Sequence, residues 1–376
     1  MRMLPVLISV LIGVALPSQA QITEADIVAY NAALQAGDAS MIQTAAMQLA
    51  NGAMSDPDNP DSGIAAYEAA WTLCRTGACE QALPAAMFAA GLPGATAQDR
   101  LLSAFAAWKV QSSSSNARTL QAALNDAAPL APSGMSVSAF REFYGARLLS
   151  RDYAGAERLA KQAQSHFALG GEPFQRFEFE ARGIAITSRF NSSPRAAQVE
   201  EMVHLRGELS QLRRAAGRDR PDWMNDAYWL ANAWQNAMQA YFVSTDRRFR
   251  AARMEEILAG YEGGAAPIEV SEAAEGEAGT VRARFCEGEM VQQPAMRYPV
   301  GQGMRGRFGS VIVKFRFEDG KVRDPEVLAA VPSDGFREDA LRTVSQWYFR
   351  PSEDPVQSGC RLDHNSVIQE FVFALG

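Results

Sequence analysis

The apolar residues in the first two thirds of this chain recur at helical spacing, which leaves few folds open to that part. From residue 22 to about 262 the chain is rich in Ala, Leu, Met, Gln, Glu and Arg, which lose little rotamer freedom in a helix. Apolar residues separated by three or four positions predict one buried stripe per helix. One such stripe comprises Trp223, Ala227, Leu230, Ala231, Trp234, Met238 and Tyr241. We therefore expect residues 21–262 to form an α-helical domain.

A weak internal repeat predicts how these helices are arranged. The segment that begins at Ala29 is similar to the one that begins at Ala66. A third segment, from Phe140, resembles a tetratricopeptide repeat through Asp152-Tyr153 and the alanines that follow. Because helices joined by short connections pack as antiparallel pairs, we expect a tetratricopeptide-like α-helical hairpin array. An irregular helical bundle is the alternative.

The composition changes abruptly after the helical region. Residues 263–279 read GGAAPIEVSEAAEGEAG and contain glutamates but no basic residue. Such a segment cannot bury enough apolar surface to order itself. We therefore predict an acidic flexible linker over 263–279, which makes residues 280–376 a separate small domain.

Strict alternation over residues 310–317 predicts a strand with one buried face. Val311, Val313, Phe315 and Phe317 form that face. Glu318-Asp319-Gly320 then supplies the positive-φ position of a tight hairpin turn, and the second strand runs from Lys321 to Leu328. Pro325 is expected at an edge or in a bulge, because it has no N–H for the ladder.

The rest of this part predicts one helix and one more strand. The helix has an apolar stripe and ends at Pro351, and the final strand covers residues 367–373. A helix face over three antiparallel strands is a small α+β domain. The expected core consists of Tyr298, Val311, Val313, Phe315, Phe317, Leu341, Val344 and Trp347.

These landmarks, in this order, resemble the C-terminal domain of the TonB family of energy transducers over about residues 285–376. The matching positions are Tyr298-Pro299, Gly309, Asp319-Gly320-Lys321-Val322, Ala340-Leu341 and Trp347-Tyr348-Phe349-Arg350-Pro351. The resemblance implies that an open sheet edge pairs with an extended segment of an outer-membrane receptor. The pairing strand of the family corresponds here to Val367, Ile368, Gln369, Glu370, Phe371, Val372 and Phe373.

The first 20 residues predict a secretory signal peptide. Arg2 precedes an apolar run from Leu4 to Leu16, and small residues lead to a cleavage site after Ala20. The apolar run is shorter than the roughly 20 residues that a spanning helix needs. We therefore expect a mature protein without a stable membrane span in the periplasm of a Gram-negative bacterium. Retention of the leader would instead anchor the chain in the inner membrane.

Export makes the four cysteines informative, because an oxidising compartment permits disulfides. Spacing and position favour the pairs Cys74–Cys79 and Cys286–Cys360, and four buried thiols are the alternative. The three histidines, His166, His204 and His364, are scattered along the chain, so no metal site or cofactor is expected.

The leading hypothesis for function is a periplasmic TonB-like adaptor that pairs with a strand of an envelope partner, plausibly an outer-membrane transport component. The helical region would bind a second protein. A net charge of −7 argues against nucleic acid as a partner. One alternative is an energy transducer that keeps its leader as an anchor. An exported enzyme is another, but no catalytic motif is found, and Glu200-Glu201 and Glu255-Glu256 are interpreted as solvated helix faces.

Overall fold

The computed structural model describes residues 22–246, 248–262, 286–294, 308–332, 336–353, 355–358 and 367–373. The contacts divide the chain into two compact units. The first contains residues up to 146 together with 165–174, and the second contains residues 147–164 and everything from 175 onward. The predicted signal peptide and the predicted linker lie outside the described residues.

The first unit is helical. Its elements are α1 (Glu24–Ala36), α2 (Ala39–Ser55), α3 (Ser62–Arg75), α4 (Cys79–Gly91), α5 (Ala97–Val110), α6 (Ser114–Ala127), most of α7 (Gly134–Leu149) and the end of α8 (Tyr153–Ala168). Several helices begin at a side chain that accepts a hydrogen bond from the first turn, namely Thr23, Asp38, Thr96 and Ser113. Each helix from α1 to α5 contacts the next one along the chain. The tetratricopeptide-like arrangement stays a prediction.

The predicted Cys74–Cys79 disulfide is present in the first unit. Its Cα atoms are 4.0 Å apart, and both residues are buried. Cys74 lies near the end of α3 and Cys79 begins α4, so the bond closes the short turn between these helices. In the second unit Cys286 is disulfide-bonded and buried, but its predicted partner, Cys360, lies outside the described residues.

The second unit combines helices with one sheet. It contains the start of α8, then α9 (Gln175–Ser192), α10 (Ala196–Ala215), α11 (Asp222–Thr245), α12 (Ala251–Glu262), β1 (Gly288–Gln292), β2 (Gly309–Glu318), β3 (Lys321–Val331), α13 (Arg337–Val344), β4 (Tyr348–Pro351), α14 (Pro355–Ser358) and β5 (Val367–Phe373). Short 3-10 turns cover Glu172–Phe174 of the first unit and Gly217–Asp219 of the second. Within the described residues no helix has both the length and the apolar character needed to span a membrane.

The sheet has five antiparallel strands in the order β1-β4-β3-β2-β5, so the prediction of three strands was wrong. The segment Trp347 to Pro351 was predicted as the end of a helix, but the helix ends at Val344 and β4 begins at Tyr348. Arg350 of β4 pairs with Glu289 of β1. β1 is short and mostly exposed, and it therefore lacks the alternating signal that reveals β2.

The hairpin between β2 and β3 follows its sequence signals. Asp319 has φ 50° and Gly320 has φ 75°, as a tight turn requires. The register between the strands shifts between Lys314, which pairs with Glu326, and Arg316, which pairs with Arg323. Pro325 therefore lies in a bulge of β3, where its missing N–H does not interrupt the ladder.

Both faces of the sheet are covered. Helix α13 covers one face, where the buried cluster contains Val311, Val313, Phe315, Phe317, Phe336, Ala340, Val344, Trp347, Phe349 and Phe373. Leu341 is partly buried against this cluster, and Tyr298 lies outside the described residues. On the other face, Ala233 and Ala237 of α11 pack against Ile312, Ala329 and Val331. Helix α11 belongs to the predicted helical domain, yet it shares a core with the sheet.

Candidate partner-binding edge

Strand β5 forms one edge of the sheet. It is antiparallel to β2 along its whole length, from Gly309 opposite Phe373 to Phe315 opposite Val367. Within the described residues no strand pairs with its other side. Successive N–H groups in a strand point to opposite sides, so the outer side of β5 carries backbone donors and acceptors that an added strand can pair with.

Alternate side chains of β5 anchor it in the core beneath α13. The ring of Phe371 lies 5.7 Å from that of Trp347 in an edge contact. The ring of Phe373 lies 4.3 Å from that of Phe336, and Val367 also packs against this cluster. These contacts hold β5 in a fixed register on β2, which is what a template strand needs.

The other side chains of β5 face α11. Glu370 is the central one, and the amides of Asn232 and Asn236 donate hydrogen bonds to its two carboxylate oxygens. The bond from Asn236 measures 2.9 Å. Asn232 and Asn236 lie one turn apart on α11, so a single helix face binds the carboxylate at both oxygens. Hydrogen bonds to a charged acceptor are stronger than neutral ones, so this pair ties the edge strand to the helix.

The hydrogen bonds to Glu370 connect an exposed carboxylate to one buried and one partly buried asparagine. Asn232 is fully buried, and its Oδ1 has no hydrogen-bond partner within the described residues. Ser310 of β2 is also buried, and its hydroxyl has no hydrogen-bond partner within the described residues. It lies opposite Val372, two residues along β5 from Glu370. Removing the carboxylate would leave still more buried polar atoms unsatisfied, which is costly.

Two apolar side chains flank Glu370 and remain exposed. Ile368 is 41% exposed and Val372 is 51% exposed. The surface that faces α11 beside the edge therefore presents an acidic centre between two aliphatic positions. A partner strand that pairs with β5 would place alternate side chains on this surface and on the α13 side.

The comparison with family models decides what this sheet is similar to. Residues 294–363 match the model of the Gram-negative bacterial TonB protein C-terminal domain. No curated protein matches the chain. The matched segment contains β2, β3, α13, β4 and α14, and it ends just before β5.

The TonB-like match agrees with the resemblance found in the sequence and covers its central landmarks. The residues predicted to pair with a partner, Val367 to Phe373, all lie on the edge strand, but their role in partner binding stays a prediction. The family match does not extend to the helical region. The predicted hairpin-array arrangement of that region is based on the weak internal repeat.

Sequence reasoning missed the contribution of α11 to this edge. Asn232 and Asn236 stand 138 and 134 positions from Glu370 in the chain. Neither asparagine breaks the helical pattern, and no local motif marks it. The available signal was a polar residue, Asn232, between two alanines of a helix. Such a residue is buried if its neighbours are, and a buried amide requires a hydrogen-bond partner.

Proposed function

We propose that this protein is an envelope adaptor whose TonB-like sheet binds an extended segment of a partner by strand addition at the outer side of β5. The observation that carries the proposal is the position of β5 at the sheet edge, with its inner side fully paired to β2. The match to the TonB C-terminal model supports an outer-membrane transport component as the partner. Localisation in the periplasm is part of the same proposal.

The bound segment would form a ladder of backbone hydrogen bonds with β5. Main-chain pairing gives affinity, and alternate side chains give specificity. On the α11 side the segment would meet Ile368, Glu370 and Val372, so we expect preference for a residue that can donate to Glu370, with aliphatic neighbours. The hydrogen bonds from α11 hold Glu370 in place before the partner arrives, which lowers the ordering cost of binding.

Proline substitutions at adjacent positions of β5 test this mode of binding. Adjacent N–H groups point to opposite sides of the strand. One of Ile368→Pro and Gln369→Pro should therefore remove a bond to β2 and lower the thermal midpoint, while the other should keep the fold and remove an outward donor. Peptides from the N-terminal segments of the host's outer-membrane receptors can be titrated against the full chain. The variant that keeps the fold should bind them at least about tenfold more weakly than the wild type does.

Val291→Pro is the matched control. Val291 lies in β1, at the opposite edge of the same sheet, where the register with β4 shifts, and it is 45% exposed. Its substitution should leave peptide affinity unchanged. Equal affinity for the wild type and both β5 variants would rule out strand addition at this edge.

The proposed adaptor role of the helical region needs its own test. The support is architectural, because a helical first unit is joined to a unit that contains the TonB-like segment. Site-specific photo-crosslinking from exposed Met87 of α4, which is 59% exposed, and from Val372 of β5 should trap different proteins in the envelope. The same protein trapped from both positions would contradict a second partner.

A further inference from the structure

Two arginines lie against one aromatic side chain where α10 leads into α11, and a third arginine shares a hydrogen-bond acceptor with one of them. Arg206 and Arg213 belong to α10, Arg220 lies between the two helices, and Tyr228 lies in the second turn of α11. All four side chains are half-buried. Such a concentration of positive charge is unusual in a chain whose net charge is −7.

Aromatic rings and neutral groups hold these guanidinium groups in place. Arg213 stacks over Tyr228, with its central carbon 4.2 Å from the ring centroid, and lies 5.5 Å from the ring of Trp229. Arg206 lies 5.5 Å from the same tyrosine ring and donates to Gln235 Oε1 at 3.1 Å. Stacking of this kind fixes the plane of a guanidinium. The terminal nitrogens of Arg206 donate to Gln235 and to the hydroxyl of Tyr228, so Arg213 is the stacked arginine whose N–H edge remains available.

Arg213 and Arg220 share a single acceptor. The Nε of Arg213 donates to Asn225 Oδ1 at 2.9 Å, and the Nε of Arg220 donates to the same oxygen at 3.0 Å. Two like charges are therefore held together by one neutral oxygen. The terminal nitrogens of Arg213 have no acceptor within the described residues. They are therefore available to a ligand, and the charge of Arg220 lies close by.

No carboxylate neutralises this group in the described part of the chain. The nearby acidic residues Asp219, Asp222 and Asp226 are exposed and form no ion pair with the three arginines. Two other half-buried arginines of the second unit do have carboxylate partners: Arg182 binds Glu208, and Arg189 binds Glu157 and Glu201. Burial lowers the pKa of Arg213, and the neighbouring charge of Arg220 acts in the same direction.

We infer that Arg206, Arg213 and Arg220 form a binding site for a doubly charged phosphate group. Guanidinium forks match phosphate oxygens in geometry, and more than one cation calls for more than a single negative charge. A single carboxylate would neutralise one of the three positive charges and a dianion neutralises two, so the dianion fits the cluster better. The site is independent of the strand-binding edge, and the phosphate can belong to a soluble molecule or to a lipid headgroup.

Titration of the full chain with inorganic phosphate tests this site, with equal ionic strength of chloride as the reference. At about pH 8 inorganic phosphate is mostly dianionic, because this pH lies above its second pKa. We expect saturable binding to the wild type that weakens at least about tenfold in Arg213→Gln and in Arg220→Gln. Arg213→Lys, which keeps the charge and loses the fork, should weaken it as well.

Arg218→Gln is the matched control. Arg218 lies in the same connecting segment and is exposed, so this variant removes the same charge from a position outside the cluster. It should keep the affinity of the wild type. Circular dichroism and thermal unfolding of each variant separate a lost site from a lost fold. Absence of saturable binding to the wild type, or an equal loss in Arg218→Gln, would overturn the inference.

Vesicles identify the source of the phosphate. Phosphatidic acid presents a phosphate monoester, and phosphatidylcholine presents none. Co-sedimentation with phosphatidic acid vesicles that is lost in Arg213→Gln would place the ligand on a membrane. Binding of free phosphate without co-sedimentation would assign the site to a soluble phosphorylated molecule. Failure of both arms would overturn the site and would leave the proposed strand binding untouched.

Discussion

At the residue scale, single positions show where local chemistry and tertiary packing agree. Gly320 has a positive φ in the β2–β3 turn, and a Cβ there would lie 2.4 Å from the carbonyl oxygen of Phe349. The backbone of Phe349 donates to the carbonyl of Gly320 at 2.7 Å. The turn therefore also contacts β4 through the backbone of Phe349. The Asp-Gly signal in the sequence does not reveal this contact.

Gly320→Ala should destabilise the second unit by about 1–3 kcal/mol, because the alanine is strained by its φ and meets the backbone of Phe349. Urea unfolding monitored by circular dichroism measures this. Gly260→Ala is the control, since Gly260 lies in α12 with open space around it, and alanine there should stabilise by up to about 1 kcal/mol. A neutral Gly320→Ala would show that the turn tolerates a side chain.

His166 makes the stability of the first unit depend on pH. It is 1% exposed, and its nitrogens lie 3.0 Å from the carbonyl oxygen of Ala128 and 2.8 Å from Ser136 Oγ. Burial lowers its pKa from the ordinary value of 6.5, although the backbone hydrogen bond opposes this. The unfolded chain therefore binds a proton that the folded chain does not, and stability should fall as pH drops below about 6.5.

His166→Gln removes the titrating group and should flatten this pH dependence. The measurement is the free energy of unfolding at about pH 7.5 and about pH 5.5 in both proteins. Met87→Gln, which changes an exposed side chain of the first unit that does not titrate, is the control and should leave the slope unchanged. An identical slope in wild type and His166→Gln would show that His166 does not contribute.

At the element scale, α11 is the central helix of the second unit. Its sequence suggested one buried stripe, but it buries residues on more than one face because α10 lies on one side and the sheet on the other. Small residues make this contact close, with Ala233 fully buried and Ala237 4% exposed. Leu230, predicted as part of the stripe, is 47% exposed.

Ala233→Leu should cost about 1–3 kcal/mol, since the extra atoms have no space between α11 and the sheet. The free energy of unfolding in urea measures this. Leu230→Ala on the exposed face of the same helix should change stability by less than about 0.5 kcal/mol. If the two variants were equally stable, α11 would not pack closely on β2 and β3.

At the scale of the whole molecule, the core of the second unit crosses the predicted domain boundary. The face of the sheet made by Ile312, Ala329 and Val331 is buried with α11, which precedes the predicted linker. A sheet with one apolar face uncovered exposes a patch that favours association or lowers stability. One face of the TonB-like segment is therefore covered by a helix that lies outside the family match.

A fragment of residues 280–376 should consequently unfold at a lower temperature than residues 175–376, or self-associate. The longer fragment retains α9 to α12 and so keeps the sheet face covered. Differential scanning calorimetry and light scattering distinguish the two fragments. Equal thermal midpoints for two monomeric fragments would show that the sheet is stable without α11.

The sequence by itself determined the helical first part, the β2–β3 hairpin with its Asp-Gly turn, the final strand and the Cys74–Cys79 bond. These follow from hydrophobic period, turn chemistry and short spacing, all of which act between residues close in the chain. The TonB-like character also follows from local landmarks in a fixed order.

Only the tertiary structure decided the rest. β1 and β4 are short strands that are stabilised by pairing with each other. Neither is long enough to show a clear alternation of apolar and polar residues in the sequence. The hydrogen bonds from Asn232 and Asn236 to Glu370, and the arginines gathered around Tyr228, depend on elements that meet only after the chain folds. Side-chain partners distant in sequence leave no periodicity, and this is why pattern alone could not place them.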